Sequence, residues 1–576
     1  MHMTTVADNL IASLVAGGVT HVYGVPGDSL NGITDAMRRS GELTWAQVRH
    51  EESAAFAAGA EAELTGRLSV CIGSCGPGNL HLINGLYDAN RSRVPVLAIA
   101  AHIPSEEMGS TYFQETHPQD LFRECSVYCE LVTRPDQMPR LLRIAMQTAV
   151  AKRGVAVLVI PGDVALAPTS SAEIVATSDP SVRVLPPEAE LRRAADVLDE
   201  AAKVTILAGA GAAGAHDELM ALAEALGAPI VHTMRGKEHV EFDNPYDVGM
   251  TGLLGFSSGY RAMESCDTLL ILGADFPYQQ FYPDKATVIQ VDVRGENIGR
   301  RTHVDVGLTG TVKDTAAALA ALVQRKENRS HLEASQKHYA KARRKLDELA
   351  APAKAGEPVH PQYVAALIDR LADDDAVFIP DVGSPVIYAA RYLRMNGRRR
   401  LIGSFNHGSM ANAVPQAIGA QSSFPGRQIV TLSGDGGVTM LLGDLLTLVQ
   451  SKLPVKIVVF NNSSLNFVEL EMKSAGFVNY GTGLENPNLA KVAEGMGIRA
   501  FHVEDSAGVE GALREAFAHD GPALVDIVTA RQELSIPPSV QAAQAKGFAL
   551  YALRTVLSGR GDELVDLAAT NWRQLF

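Results

Sequence analysis

The strongest chemical signal lies where two apolar segments each end in polar residues. Ile429–Leu432 leads into Ser433-Gly434-Asp435-Gly436-Gly437, and Val455–Phe460 leads into Asn461-Asn462. Glycines at a strand-to-helix turn let a ligand approach the backbone, and the N-terminus of the next helix offers free N–H groups to phosphate. The carboxylate of Asp435 would repel phosphate unless a hard divalent ion such as Mg²⁺ bridges the two. Neighbouring parallel strands end at the same sheet edge, so Asn462 is placed to complete the site.

A second group of candidate residues lies near position 50. Arg49-His50-Glu51-Glu52 precedes the segment 54–62, which is too apolar for a fully solvated helix. Glu51 would then stand at the start of a packed helix, where the helix dipole favours a carboxylate. An ordinary surface acid at a helix start is the alternative, and the apolar segment favours a packed site.

The elements that must position these residues follow an alternating pattern. Short runs rich in Val, Ile and Leu alternate with longer Ala- and Leu-rich segments of helical period, which is typical of parallel sheets covered by helices on both faces. The predicted strands are His21–Val25, Leu68–Gly73, Val94–Ala100, Val155–Ile160, Val204–Ala208, Pro229–Thr233, Thr268–Gly273, Thr287–Val291, Ala376–Pro380, Gln428–Leu432, Val455–Asn461 and Ala523–Val528. The predicted fold class is therefore α/β, with three doubly wound parallel-sheet units.

Two stretches of linker composition divide the chain. One is the Pro-, Ser- and Thr-rich segment 165–188, and the other runs from Lys326 to Pro361. The predicted units are residues 1–182, 183–334 and 335–530, followed by a distinct tail over 531–576.

Composition excludes several classes of protein. The chain of 576 residues has room for about three or four domains. Its net charge of −14 argues against nucleic acid as the main partner. Five cysteines are few and odd in number, which fits reduced thiols. Without a long apolar span or a signal-like start, the expected location is cytoplasmic.

The spacing of the first group resembles a known cofactor motif. Gly-Asp-Gly, with the second Asn of an Asn-Asn pair 27 residues after the Asp, is similar to the diphosphate motif of thiamine-diphosphate enzymes. The resemblance implies Mg²⁺ ligands at Asp435, Asn462 and the backbone carbonyl of Ser464. It also implies that Glu51 bonds the cofactor's pyrimidine ring and favours its imino tautomer. The implied cofactor-binding residues are Glu51, Gly408, Ser409, Met410, Asp435, Gly436, Gly437, Asn462, Ser463, Ser464, Leu465, Asn466 and Phe467, with Val468 next and without an assigned role.

Longer segments narrow the resemblance to one branch of that family. Gly76–Ile103, Gly249–Phe256 and the tail 545–572 look like the bacterial quinone-reducing pyruvate dehydrogenases, also called pyruvate oxidases. This implies that units 1–182, 183–334 and 335–530 bind pyrimidine, FAD and diphosphate, respectively. It also implies a homotetramer whose sites form at dimer interfaces.

The same resemblance assigns substrate residues. Phe113, Gln114, Val382 and Phe467 match positions that line the pyruvate pocket, and Phe467 matches a residue that moves into the site on activation. Asn466 departs from the glycine of the pattern, which puts that movement in doubt.

The implied FAD contacts cluster in the middle unit. They are Thr251, Gly252, Leu253, Leu254, Ala274, Asp275, Phe276, Pro277, Tyr278 and Asp292. A turn-forming Asp is the ordinary alternative for Asp292. A literal G-x-G-x-x-G stands at 209–214, but the next predicted strand ends without an acid for a ribose, so these glycines are interpreted as a tight turn.

The tail carries an amphipathic pattern. Leu550, Leu553 and Leu557 recur at helical spacing, in a segment too short to span a bilayer. A helix docked on the protein's own surface shows the same pattern, and the resemblance favours binding to membrane phospholipid at the inner face of the cell membrane.

The reaction implied by the resemblance is the oxidative decarboxylation of pyruvate to acetate and CO₂, with electrons passing through FAD to ubiquinone. Three alternatives stay open. They are a carboligase of the acetolactate-synthase type, a phosphate-dependent pyruvate oxidase and a non-catalytic nucleotide-binding module.

Overall fold

Three six-stranded parallel sheets follow one another along the chain. The computed structural model describes residues 4–169, 173–178, 183–531, 533, 542–557, 564, 567–568 and 571. Each sheet lies within one predicted unit, so the α/β class with three doubly wound sheets is confirmed. The boundaries between the units stay predictions.

The first sheet is built from short strands joined by crossover helices. Its strands are β1 His21–Gly24, β2 Thr44–Gln47, β3 Ser69–Gly73, β4 Val96–His102, β5 Tyr128–Leu131 and β6 Val155–Pro161. Its helices are α1 Val6–Ala16, α2 Asn31–Ser40, α3 Glu51–Thr65, α4 Pro77–Ser92, α5 Pro118–Leu121, α6 Met138–Lys152 and α7 Gly162–Leu166. The strand order is β2-β1-β3-β4-β6-β5. Central β4 and β6 are buried along their whole length, as their unbroken apolar sequences require.

The middle sheet has the strand order typical of dinucleotide-binding folds. Its strands are β7 Val204–Ala208, β8 Ile230–His232, β9 Asp247–Met250, β10 Thr268–Leu272, β11 Thr287–Asp292 and β12 Val306–Thr309. Its helices are α8 Glu188–Glu200, α9 His216–Leu226, α10 Lys237–Val240, α11 Ser257–Glu264 and α12 Val312–Leu322. The order β9-β8-β7-β10-β11-β12 reads 3-2-1-4-5-6 when counted within the unit, and it reverses between β7 and β10.

The glycines of the G-x-G-x-x-G segment serve close packing of two loops. A Cβ on Gly209 would lie 2.4 Å from the carbonyl oxygen of Gly273, and one on Gly211 would lie 2.7 Å from the Cα of Gly273. The loops after β7 and β10 therefore approach as closely as backbone allows, which agrees with the tight-turn interpretation.

The third sheet repeats the topology of the first. After the connecting helix α13 Ser330–Leu349, its strands are β13 Val377–Pro380, β14 Arg400–Leu401, β15 Ile429–Gly434, β16 Lys456–Asn461, β17 Arg499–Val503 and β18 Ala523–Val528. Its helices are α14 Pro361–Leu371, α15 Ser384–Tyr392, α16 Ala413–Ser423, α17 Asp435–Met440, α18 Leu445–Gln450, α19 Asn466–Ser474, α20 Leu489–Gly495 and α21 Ser506–Ala518. The order β14-β13-β15-β16-β18-β17 matches that of the first sheet strand for strand.

The twelve predicted strands all form, and the six strands that the pattern missed are the two edges of each sheet. They are β2, β5, β9, β12, β14 and β17. Most edge strands are partly solvated, and β12 alternates buried and exposed residues. They therefore lack the continuous apolar run on which the prediction depended.

The first and third units pack against each other through α3 and α16. A Cβ on Gly419 would lie 1.9 Å from the carbonyl oxygen of Ala57, so glycine is required for this contact. Buried Asp444 crosses the same interface, accepting hydrogen bonds from the Ser53 hydroxyl at 2.5 Å and from the backbone N–H of Arg49 at 2.8 Å. One hydrophobic core is continuous across both units.

A C-terminal helix, α22 Ala542–Leu557, rests on α19. Tyr551 and Thr555 are buried, and the Nζ of Lys473 lies 5.6 Å from the centre of the Tyr551 ring. Leu553 is 58% exposed, so part of the predicted leucine stripe faces away from the protein. The side chain of Leu557 and most of the tail beyond it lie outside the described residues. In the described part of the chain, no helix is both long and apolar enough to cross a membrane.

Candidate active site

Glu51 opens α3 with its side chain largely buried. It is 8% exposed, and its Oε2 lies 2.9 Å from Nδ1 of His81 on α4. His81 in turn stacks on His50 with ring centres 4.2 Å apart. The ring nitrogen of His50 accepts a hydrogen bond from the backbone N–H of Glu52 and so caps the helix. The sequence analysis missed His81, because a histidine on an amphipathic helix carries no signal of its partner 30 residues away.

The loop carrying Gly408, Ser409 and Met410 is tied to the first unit. The side-chain nitrogen of Asn84 donates to the Ser409 hydroxyl at 2.8 Å, and Nε2 of His407 lies 2.8 Å from the Asn84 oxygen. Gly408 has a φ of +79° with open space where a Cβ would be. The predicted pyrimidine-contacting loop is therefore fixed on both sides of Gly408, while the glycine itself leaves room.

Buried Asp88 holds the same loop through the hydroxyl group of Ser404. It accepts hydrogen bonds from the Ser404 hydroxyl at 2.8 Å and from the Gln416 amide at 3.1 Å. The Ser404 hydroxyl accepts from the backbone N–H of Ser409. Burial raises the pKa of Asp88 to about 7, against the opposing effect of the Ser404 hydrogen bond.

The predicted metal ligands gather at the carboxyl edge of the third sheet. Asp435 follows β15 and Asn462 follows β16, and these two strands are direct neighbours. Burial raises the pKa of Asp435, although its hydrogen bond from Asn486 acts in the opposite direction. The side-chain oxygen of Asn462 accepts from the backbone N–H of Ser464 at 3.0 Å. Carboxylate, amide and carbonyl oxygens in this arrangement are the donor set that Mg²⁺ prefers.

A series of hydrogen-bonded side chains orients the Asp435 carboxylate. The side-chain nitrogen of Asn486 donates to Oδ2 of Asp435 at 2.6 Å and lies 3.1 Å from the Asn461 oxygen. Asn461 donates to buried Asp526 at 2.9 Å, and Nδ1 of His502 lies 2.8 Å from that carboxylate. The sequence analysis missed Asn486 and Asp526, since they lie 51 and 91 positions from Asp435 and no local pattern joins them.

Asp381 and the glycine turn fit together at the point where the strand order reverses. A Cβ on Gly437 would lie 1.9 Å from Oδ2 of Asp381, so the turn leaves room only for glycine. Burial raises the pKa of Asp381 to about 7, opposed by backbone N–H groups at Val382 and at 411–413. The Asp381 carboxyl group therefore contacts both the glycine turn at Gly437 and the backbone of the loop after Met410.

Three non-glycine residues with left-handed backbone flank the predicted site residues. Ser463 has a φ of +54°, Ala411 of +65° and Gln114 of +63°. Such conformations are uncommon outside glycine and cluster at functional sites. Each one adjoins or is a predicted site residue, whereas the other five described non-glycine residues of this kind lie elsewhere in the chain.

A diphosphate group fits the donors that are present. Asn466 opens α19 and is 5% exposed, and among the described residues its side-chain nitrogen has no hydrogen-bond partner. A buried, unpartnered donor at a helix N-terminus suits an anionic oxygen. Asn466 therefore adds a candidate donor at the start of α19.

The predicted pyruvate residues divide between two units. Phe113 is 77% exposed, and the Gln114 side chain accepts from the Cys75 thiol at 3.2 Å. Val382 and Phe467 belong to the third unit and are partly buried. Within the described residues, no hydrogen bond or ion pair joins the first two to the last two, nor Glu51 to Asp435.

The predicted flavin residues lie along the carboxyl edge of the middle sheet. Thr251–Leu254 follow β9, Ala274–Tyr278 follow the end of β10, and Asp292 ends β11. Thr251 is 3% exposed, and its hydroxyl has no hydrogen-bond partner among the described residues. Asp292 accepts from the backbone N–H of Arg294 and from the Asn297 amide, so it does shape a turn. The free Thr251 hydroxyl and the edge position fit a dinucleotide.

Contacts from other units hold these flavin segments. Arg391 of α15 donates to the Leu254 carbonyl at 3.0 Å. Within the middle unit itself, Arg301 pairs with Asp275 at 2.6 Å. Arg93, at the end of α4, also reaches Asp275 at 3.4 Å. The carboxyl edge of the middle sheet therefore contacts both the first and the third unit.

Comparison with known proteins agrees with this geometry. Residues 4–121 match the N-terminal TPP binding domain of thiamine pyrophosphate enzymes, 191–319 match the central domain, and 381–527 match the C-terminal TPP binding domain. The chain belongs to the thiamine pyrophosphate enzyme family.

Individual relatives extend over nearly the whole chain. It is 38% identical to the Bacillus subtilis protein YdaP, over 96% of each protein. It is 31% identical to a pyruvate oxidase of Lactiplantibacillus plantarum, over 90% of this chain and 87% of that one. It is 28% identical to a chloroplastic acetolactate synthase of rice, over 92% of this chain and 85% of that one. Family members thus include both an oxidase and a carboligase.

Proposed function

We propose that this chain oxidatively decarboxylates pyruvate to acetate and CO₂ and passes the two electrons through FAD to ubiquinone at the membrane. One water is consumed, and two protons leave with the electrons. The observation that carries the quinone assignment is α22, which rests on the helix following the metal loop and still exposes Leu553.

Glu51 would hold a proton at the pyrimidine ring of the cofactor. Its carboxyl group is buried beside His81, away from competing water, and the pyrimidine loop around Ser409 is fixed by Asn84. Thiamine diphosphate, when bound, would supply a carbon nucleophile and an electron sink for the decarboxylation. Asp435, Asn462 and the Ser464 carbonyl would hold its Mg²⁺, and Asn466 would donate to a diphosphate oxygen.

The middle unit would hold the flavin along its carboxyl edge. Support comes from the strand order, the unpartnered Thr251 hydroxyl and the contact from Arg391 to Leu254. FAD, when bound there, would accept two electrons and deliver them to the quinone.

Among the described residues, no hydrogen bond or ion pair joins Glu51 to Asp435, which is compatible with a site shared between subunits. We propose that Glu51 and Phe113 of one subunit complete the site formed by Asp435 and Phe467 of a partner, in a homotetramer. The 77% exposure of Phe113 fits a residue that a second copy covers.

The C-terminal helix would bind phospholipid at the inner face of the cell membrane. Its docked face carries Tyr551 and Thr555, whereas Leu553 points outward. An apolar side chain left exposed on an amphipathic helix favours an interfacial role.

Anaerobic addition of pyruvate to the purified chain tests the proposal. With thiamine diphosphate and Mg²⁺ present, the flavin absorbance should bleach, and with either omitted it should not. Acetate and CO₂ should form in equal amounts, without a requirement for phosphate.

A carboligase of the acetolactate-synthase type is the second candidate, favoured by the 28% identity to the rice enzyme. It predicts that pyruvate leaves the flavin oxidised while acetolactate accumulates. That outcome would replace the oxidative assignment.

A further inference from the structure

Glu469 is a buried carboxylate in the first turn of α19, directly after the metal loop. Its side chain is fully buried. A glutamate is almost never buried unless it is paired, because removing a charge from water is costly. The sequence pattern gives it no role, and neither the pyrimidine nor the flavin residues contact it among the described interactions.

Five side chains surround this carboxylate. Its Oε1 accepts from the hydroxyls of Ser464 at 2.7 Å and Thr482 at 2.9 Å and from the Asn479 amide at 3.2 Å. The guanidinium of Arg531 lies 3.3 Å from Oε1, and Nζ of Lys473 lies 3.5 Å from Oε2. Two cations and three neutral donors thus balance one buried negative charge.

The donors come from both sides of a short backbone bridge. The backbone N–H of Leu465 donates to the Thr482 carbonyl at 2.8 Å, and that of Leu484 donates to the Ser463 carbonyl at 2.9 Å. Ser464, whose carbonyl is a predicted Mg²⁺ ligand, therefore lies inside this bridge. Glu469 holds the hydroxyl groups of Ser464 and Thr482 together from one side.

We propose that Glu469 is a positioning residue that fixes the Ser464 carbonyl and the metal loop for Mg²⁺ and diphosphate. The inference rests on the thiamine-diphosphate site of the proposed function. Without the carboxylate, Ser464 and Thr482 lose their common acceptor, and the negative charge beside Lys473 and Arg531 is removed. The loop would then sample orientations in which the Ser464 carbonyl turns away from the metal.

Two variants of the full chain separate positioning from folding. Glu469→Ala removes the acceptor, and Glu469→Gln keeps an acceptor oxygen of nearly the same shape without the charge. Glu494→Gln on α20 is the matched control, because Glu494 is an exposed acid of the same unit. Mg²⁺ affinity is measured by calorimetric titration at saturating thiamine diphosphate, and the thermal midpoint is measured without either ligand.

Glu469→Ala should weaken Mg²⁺ binding by about 10- to 100-fold, the usual effect of losing a group that orients a ligand. Glu469→Gln should fall between Ala and wild type, and Glu494→Gln should match wild type. In turnover assays, the KM for Mg²⁺ should rise while kcat at saturating Mg²⁺ is largely kept.

The outcomes separate this inference from the proposed function. If wild type binds thiamine diphosphate and Mg²⁺ and both variants bind Mg²⁺ within twofold of it, a lowered thermal midpoint alone would make Glu469 merely structural and overturn the inference. If the variants bind Mg²⁺ weakly but wild type fails to reduce flavin with pyruvate, the inference stands and the oxidative reaction fails. If wild type binds neither ligand, both fail.

Discussion

Replacing Asn486 by Ala tests whether the hydrogen-bonded chain behind Asp435 prepares the metal site. Asn486 donates to Asp435 at 2.6 Å and lies 3.1 Å from the oxygen of Asn461, which is itself held by Asp526. Alanine removes this donor and leaves the Asp435 carboxylate with only its backbone N–H partners, such as those of Gly436 and Ser463. A hydrogen bond to a charged group contributes about 1.5–3 kcal/mol, which corresponds to a loss of roughly 10- to 100-fold in Mg²⁺ affinity.

Calorimetric titration of Mg²⁺ at saturating thiamine diphosphate measures this loss. Asn488→Ser is the matched control, since Asn488 lies in the same loop but caps α20 through the backbone N–H of Lys491. Serine caps helices nearly as well as asparagine, so this variant should bind Mg²⁺ like wild type. An Asn486→Ala variant that binds Mg²⁺ within twofold of wild type would refute the assignment of Asp435 as an oriented ligand.

Three further predictions address catalysis, the tail and pH. Glu51→Gln should abolish pyruvate-dependent flavin reduction while FAD stays bound; bleaching at the wild-type rate would contradict its role. Deletion of 554–576 should reduce liposome binding and quinone turnover but spare a soluble electron acceptor; unchanged liposome binding would remove the membrane proposal. Folding raises the pKa of Asp88 from 3.8 to about 7, so protonation of Asp88 stabilises the folded chain. This contribution to the free energy of unfolding is complete below about pH 4 and is lost as pH rises through about 7. Unfolding in urea should show stability falling over that window, by at most about 4 kcal/mol, and Asp88→Asn should flatten the fall; equal slopes would exclude Asp88 as the cause.

The central strands could be predicted because they must be apolar on both faces. Val96–His102 and Val155–Pro161, for example, are buried at every residue, and their sequences are apolar apart from the final His102 of the first. The edge strands have no such constraint. Tyr128–Leu131 is only partly buried and includes an exposed glutamate, and Arg400–Leu401 is two residues long. Their pairing is decided by the neighbouring strand and not by their own composition.

The residues that end strands at the third sheet's edge could be predicted for a related reason. Asp435 and Asn462 follow apolar strands directly, and parallel neighbours bring their ends together. The partners that orient them come from distant segments. His81, Asn486 and Glu469 are ordinary polar residues on helices or loops, and only tertiary packing brings them against the side chains that they orient.

Glu469 shows most clearly what could not be predicted from the sequence. On a helix with Lys473 four positions later, it has the spacing of a solvent-exposed ion pair. The structure instead buries both groups, because Arg531 and Thr482 arrive from segments 62 and 13 positions away and complete the balance of charge and hydrogen bonds. No window of sequence contains that information.

Buried acids near the cofactor edge form the common physical theme of the third unit. Burial raises the pKa of both Asp381 and Asp435, which means that the folded chain alone stabilises their charged forms poorly. Glu469 differs, because hydrogen bonds from Ser464 and the charge of Lys473 outweigh burial and lower its pKa. Because Glu469 has cationic partners in its own chain, it can hold its hydrogen-bond partners in place without a bound metal ion. The described partners of Asp435 are the Asn486 amide and backbone N–H groups, all of them neutral, so Asp435 is left with the incomplete charge balance that a divalent cation would complete.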